Sequence, residues 1–111
     1  MNANEYQKLA AVTMNKTLGP KSQMLNSALG MCGEAGEFAD LIKKHAFQGH
    51  DLDVIHLKKE LGDVCWYVAL ACTVFNLKLD DVMQTNIDKL KARYPEGFSV
   101  EKSEHREARD E

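Results

Sequence analysis

Apolar residues in this 111-residue chain recur at intervals of three and four rather than two, the period of helices and not of strands. The spacing predicts a first helix over about Asn4 to Thr17, with Tyr6, Leu9, Ala10 and Thr13 along one side, closed by Gly19-Pro20. A second helix is predicted from near Ser22 to about Phe47. Its stripe of Leu25, Ala28, Cys32, Ala35, Ala39, Ile42 and Ala46 has the alternation of a surface that packs on another helix. Gln48-Gly49-His50-Asp51 is turn chemistry, after which Asp53 can cap a third helix. From Val64 to Phe75 that helix reads VCWYVALACTVF, apolar at nearly every position, which predicts a central helix buried on all sides. Asn76 and Leu77 interrupt it, Asp80 or Asp81 opens a fourth helix through about Ala92, and Tyr94-Pro95-Glu96-Gly97 ends that one. Beyond Val100 the sequence VEKSEHREARDE is almost wholly charged and reads as a flexible tail or a short solvated helix. With two prolines and neither an Asn-Gly nor an Asp-Gly pair, there is no hairpin to place, and the expected fold class is all-α.

Composition narrows the function more than it changes this picture. The length and a 44% hydrophobic content suit one compact domain with a modest core. Fourteen basic residues against seventeen acidic give a net charge of -3, so no basic footprint for a phosphate backbone exists and nucleic acid is not an expected partner. There is no run of eighteen apolar residues and Met1 to Tyr6 is polar, so neither a membrane span nor a leader is expected and the reading is cytoplasmic. Cys32, Cys65 and Cys72 form no CxxC pair; they read as small buried hydrophobes of a reducing compartment rather than as metal ligands.

The second helix breaks its own local preferences. Gly30, Gly33 and Gly36 stand three apart inside it, each costing about 1 kcal/mol against alanine. Beside them lie Glu34 and Glu37, and on the third helix Glu60 and Asp63 flank Gly62. Each acid pair has the i, i+3 spacing of side chains about one turn apart on one face. The midpoint between the pairs falls at Gln48-Gly49, the predicted turn, so an antiparallel hairpin brings both to nearly the same height. Four carboxylates held close repel, and either raise one another's pKa or take a cation between them. A hard divalent ion such as Mg²⁺ suits an all-oxygen set lacking His and Cys. Singly, each acid could be solvated surface charge; Asp63, next to the apolar run, is the hardest to explain that way. Asp53-x-x-His56 echoes half a di-iron motif and His50-Asp51 an HD phosphohydrolase, each without its required partners. Trp66 and Tyr67 could stack on a base or simply pack in the core. Lys44, with Lys43, could contact phosphate or lie along the surface.

Taken together, GEAGE at Gly33 to Glu37, ELGD at Glu60 to Asp63 running into VCWYVALA, and NIDKLKARYPEGF at Asn86 to Phe98 resemble the MazG-like family of all-α nucleoside triphosphate pyrophosphohydrolases, from about Tyr6 to Ser99. The resemblance implies a MazG-type domain over residues 1–99 with a charged tail at 100–111, built as a four-helix bundle-like fold around an antiparallel hairpin and assembled as a homodimer or homotetramer. It implies hydrolysis of a nucleoside triphosphate between the α and β phosphates, to the monophosphate and pyrophosphate. Glu34, Glu37, Glu60 and Asp63 would hold Mg²⁺, with Mn²⁺ as a substitute. Glu37, with Glu34 beside it, would orient the attacking water, and Asn86, Lys89 and Arg93 would contact triphosphate oxygens. A central helix apolar all round also calls for a second copy to cover it. The competing reading is a non-catalytic helical nucleotide-binding or assembly module whose acids are surface charge. Base and sugar preference depend on pocket shape and are left open.

Overall fold

A computed structural model describes residues 1–105, and all regular structure among them is helical: α1 Ala3–Ala11, α2 Pro20–Phe47, α3 Val54–Val74, α4 Leu79–Arg93 and α5 Val100–Glu104. The chain divides into two compact units, Met1–Lys78 and a second that begins at Leu79. The part of the charged tail expected beyond residue 105 lies outside the described residues.

In the first unit, α2 and α3 form an antiparallel hairpin and α1 packs on α3. Local chemistry fixes the ends of each helix. Pro20 occupies the first turn of α2, where its missing N–H costs nothing, so the Gly19-Pro20 pair that closes the first segment also starts the second helix. At the far end Gly49 takes the left-handed region at φ +69°, and the His50 N–H returns to the Lys44 carbonyl at 3.2 Å. Asp53 caps α3 as expected, its carboxylate accepting from the Ile55 and His56 N–H groups at 3.1 Å. Asn76 ends α3 at φ +57°, with Leu77 N–H bonded to Cys72 O and Asn76 N–H to Thr73 O, the paired bonds of a Schellman stop.

Helix α1 is shorter than the pattern predicts, ending at Ala11 instead of Thr17. The reason is competition from side chains. The Thr13 hydroxyl donates to Ala10 O at 2.9 Å, and Asn15 accepts from both the N–H and the hydroxyl of Thr17, so these residues satisfy the backbone outside a helix.

Two expectations about burial are corrected. The stripe Leu25, Ala28, Cys32, Ala35, Ala39, Ile42 and Ala46 is exposed, and α2 meets α3 through a different face: Gln23, Ser27, Gly30, Glu34, Phe38 and Leu41 are among its sheltered positions. That face carries polar or small residues at Gln23, Ser27, Gly30 and Glu34 before Phe38 and Leu41, so hydropathy selects the wrong side. Nor is α3 covered all round. Ala69, Leu70 and Cys72 are buried, whereas Cys65 and Phe75 are exposed, since two neighbouring helices cannot enclose every face of a third. Cys32 is likewise exposed, which leaves Cys72 alone as the buried cysteine; all three are free thiols.

The tightest point of the hairpin is Gly30, where a Cβ would overlap the Tyr67 ring; at Gly33, Gly36 and Gly62 a Cβ would meet nothing. Gly30 therefore sits where backbone approaches an aromatic ring, and the other three leave open space.

The second unit contains α4 and α5. Asp80 and Asp81 lie in the first turn of α4, and Lys91 and Arg93 in its last, each placed favourably for the helix dipole. Gly97, at φ +93°, closes the turn after Tyr94, whose ring lies 5.3 Å from that of Phe98. Ser99 caps α5 by accepting from the Lys102 N–H at 3.1 Å.

Gly30→Ala and Gly33→Ala gain the same helix propensity, so their difference isolates the ring contact. Urea unfolding should place Gly30→Ala about 1–3 kcal/mol below Gly33→Ala, the usual cost of overpacking. Equal stabilities would mean that the contact does not restrain the hairpin.

Candidate metal centre

Gly30 and Tyr67 are centred on Gln48-Gly49, and so are Glu34 and Asp63, so one register sets both. One turn beyond the glycine on α2, and one turn before the tyrosine on α3, the carboxylates meet. Glu34, Glu60 and Asp63 each offer an oxygen, and these oxygens lie within 4.8 Å of one another. Glu34 and Glu60 are partly sheltered and Asp63 is exposed, which makes a cluster open on one side. The Oε2 of Glu60 is buried without a hydrogen-bond partner, while its Oε1 lies 3.1 Å from His56 Nε2.

Glu37 stands outside this group. A helix turns 100° per residue, and that step leaves Phe38 facing inward and Glu37 exposed. The hairpin thus brings together three of the four acids. Glu37 remains close enough for its charge to act on both Glu34 and Lys44.

The crowding has an electrostatic signature. Glu34's carboxyl is raised above its ordinary value by partial desolvation first, then by the negative charge of Asp63. A hydrogen bond to Glu60 that only protonated Glu34 can donate adds to this, as do the charges of Glu60 and Glu37. Tyr6, from α1, also borders the group. Its hydroxyl points to the Gly62 carbonyl at 3.5 Å, and its pKa is raised by burial and by the charges of Cys65 and Asp63.

The donor set fits a hard cation. On an octahedral Mg²⁺ adjacent oxygens stand about 3 Å apart and opposite ones about 4.2 Å, so the three carboxylates would have to draw inward to share one ion. An acid held near two others, and an orphaned buried oxygen, are both relieved by positive charge.

The remaining candidates have definite surroundings. Lys44 is ion-paired to Asp40 at 2.8 Å, and the hydrogen bond and charge of Asp40 raise its pKa. It borders a cavity of about 160 Å³ together with His50, Asp53 and His56. Trp66 is half-buried; its indole N–H donates to the Thr13 hydroxyl at 2.8 Å, and its ring meets Tyr67 edge-on at 4.9 Å. Asn86, Lys89 and Arg93 fall on one face of α4 by their three-four spacing, with Asn86 exposed and the other two partly sheltered. The Arg93 guanidinium lies 5.8 Å from the Tyr94 ring.

Sequence reasoning passed over two neighbours of the acids. His56 precedes Glu60 by four residues, a spacing that puts both on one face and could have been read directly. Tyr6 has no such local signal, because nothing near it encodes how α1 meets α3.

The chain belongs to the MazG nucleotide pyrophosphohydrolase domain family, which it matches over residues 23–98. That span holds α2 from Gln23 onward, α3, α4 and all four acids, and leaves out α1. A curated relative, the Gene 37 protein of Mycobacterium phage L5, is 38% identical over 76 residues, covering 62% of this chain and 64% of its own length. No solved structure gives a significant match.

The raised Glu34 carboxyl binds more protons in the folded than in the unfolded state, so it lowers stability as pH rises above the ordinary glutamate value of 4.5. In a chelator at pH 7, Glu34→Gln should therefore melt above the wild type in calorimetry, and the gap should close as pH falls below that value. A wild type more stable than the variant at pH 7 would contradict the crowding.

Proposed function

We propose that the chain is a Mg²⁺-dependent nucleoside triphosphate pyrophosphohydrolase that releases the nucleoside monophosphate and pyrophosphate. The observation that carries this reading is the convergence of Glu34, Glu60 and Asp63, within the family-matched span, into a group of oxygens no more than 4.8 Å apart.

In this reading those three side chains hold the cation, with Mn²⁺ able to substitute. When bound, the ion supplies the positive charge that offsets the phosphate oxygens and helps order the attacking water. Glu37, exposed one turn from Glu34, orients that water with Glu34 and draws off its proton. The water oxygen bonds to phosphorus on one side of the α–β bridge, and the bridging oxygen departs with the other phosphoryl group. Asn86, Lys89 and Arg93 share a face on α4 suited to donating to the triphosphate oxygens. Lys44 adds a further cation beside the hairpin, and Trp66 contributes an aromatic wall in which its N–H is already committed to Thr13.

A second copy completes the assembly, as a homodimer or homotetramer of bundled helices. The exposed stripe of α2, with Leu29 beside it, supports it: Leu25, Leu29 and Ile42 are apolar, and Cys32, Ala35 and Ala39 are small enough for another helix to approach. Neither a nucleic acid nor a membrane has a place in this reading. The net charge is -3, and no single helix among the described residues is long and apolar enough to cross a bilayer.

A panel of ordinary and modified nucleoside triphosphates, assayed for pyrophosphate with and without EDTA, tests the reading. The wild type should turn over at least one member and stop with EDTA. Asp63→Asn should lose more than about a hundredfold in kcat/KM, beyond the cost of losing an outer-shell partner. Saturable nucleotide binding without pyrophosphate release, under any divalent ion, would instead mark the non-catalytic binding module.

A further inference from the structure

We propose that His56 is a positioning residue that holds one oxygen of Glu60 so that the other is delivered to the cation. The inference rests on the reading of Glu34, Glu60 and Asp63 as a divalent-cation site and extends it to a residue outside both acid pairs.

Glu60's two oxygens have unlike surroundings. Oε1 lies 3.1 Å from His56 Nε2, whereas Oε2 is buried and has no hydrogen-bond partner. With Nε2 protonated, the imidazole donates to Oε1 and leaves Oε2 the less engaged oxygen for coordination. A buried acceptor without a donor is costly, and the arrangement is rational where a ligand later occupies it.

The donor is itself anchored. His56 lies in the first turn of α3, and its backbone N–H is bonded to the capping carboxylate of Asp53 at 3.1 Å. The turn that begins the helix therefore fixes the His56 backbone, from which the imidazole reaches Glu60 one turn on. Ordinary i, i+4 pairs on helix surfaces join two solvated side chains and restrain little. Here the acceptor is 13% exposed and its donor 50%, so the restraint falls on a largely enclosed carboxylate. A glutamate already held in one rotamer gives up less freedom when it takes an ion.

The test is Mn²⁺ affinity of the whole chain, read from free Mn²⁺ in electron paramagnetic resonance titrations, which needs no nucleotide and no turnover. Circular dichroism in EDTA confirms that each variant is folded. Wild type should bind saturably and Asp63→Asn should lose that binding. His56→Ala should weaken it about 10–100-fold, the usual effect of removing a partner behind a ligand. His56→Gln, whose amide N–H can reach the same oxygen, should recover most of the loss. If His56→Ala binds as tightly as the wild type while Asp63→Asn fails, the cation site stands and the role of His56 is refuted. If wild type takes up no Mn²⁺, the cation reading falls and this inference with it.

Discussion

The register of α2 against α3 is the constraint on which the rest depends. Within that register the Tyr67 ring lies against the bare Cα of Gly30, where an added Cβ would overlap it. From that point the antiparallel geometry leaves no freedom: one turn along each helix, Glu34 arrives opposite Asp63 and Glu60. A shift by one residue would turn Glu34 away from α3 and dissolve the cluster.

This register gathers negative charge from Glu34, Glu60 and Asp63 at one place on the hairpin. Lys43 and Lys44 are ion-paired to Asp40, and His56 meets one oxygen of Glu60. Desolvation first, and then the charge of Asp63 and its neighbours, raises the Glu34 carboxyl. A cation bound among the acids would relieve this crowding, and an all-oxygen donor set suits a hard ion.

Much of this is legible from the residues alone, because it lives in short-range chemistry. Asp53 as a cap, Gln48-Gly49 as the turn and Asn76 as a stop act within a few residues, and the matched height of the acid pairs follows from the turn position. Other features depend on packing between distant segments. The sheltered face of α2 carries Gln23, Ser27, Gly30 and Glu34, so its polarity hides it, while the apolar stripe that hydropathy favours lies exposed. Glu37 shares a motif with Glu34 but not a direction, since Phe38 takes the inward position. The early end of α1 at Ala11 depends on the hydroxyl and amide groups of Thr13 and Asn15, which a spacing argument does not weigh. Tyr6 enters the site only because α1 packs on α3.

The most direct measurement is an anomalous-difference map from crystals grown with Mn²⁺. A peak should appear within about 2.3 Å of carboxylate oxygens from Glu34, Glu60 and Asp63, with Glu60 coordinating through the oxygen turned away from His56. A map with no peak there, and the three side chains turned apart into solvent, would contradict the shared cation site.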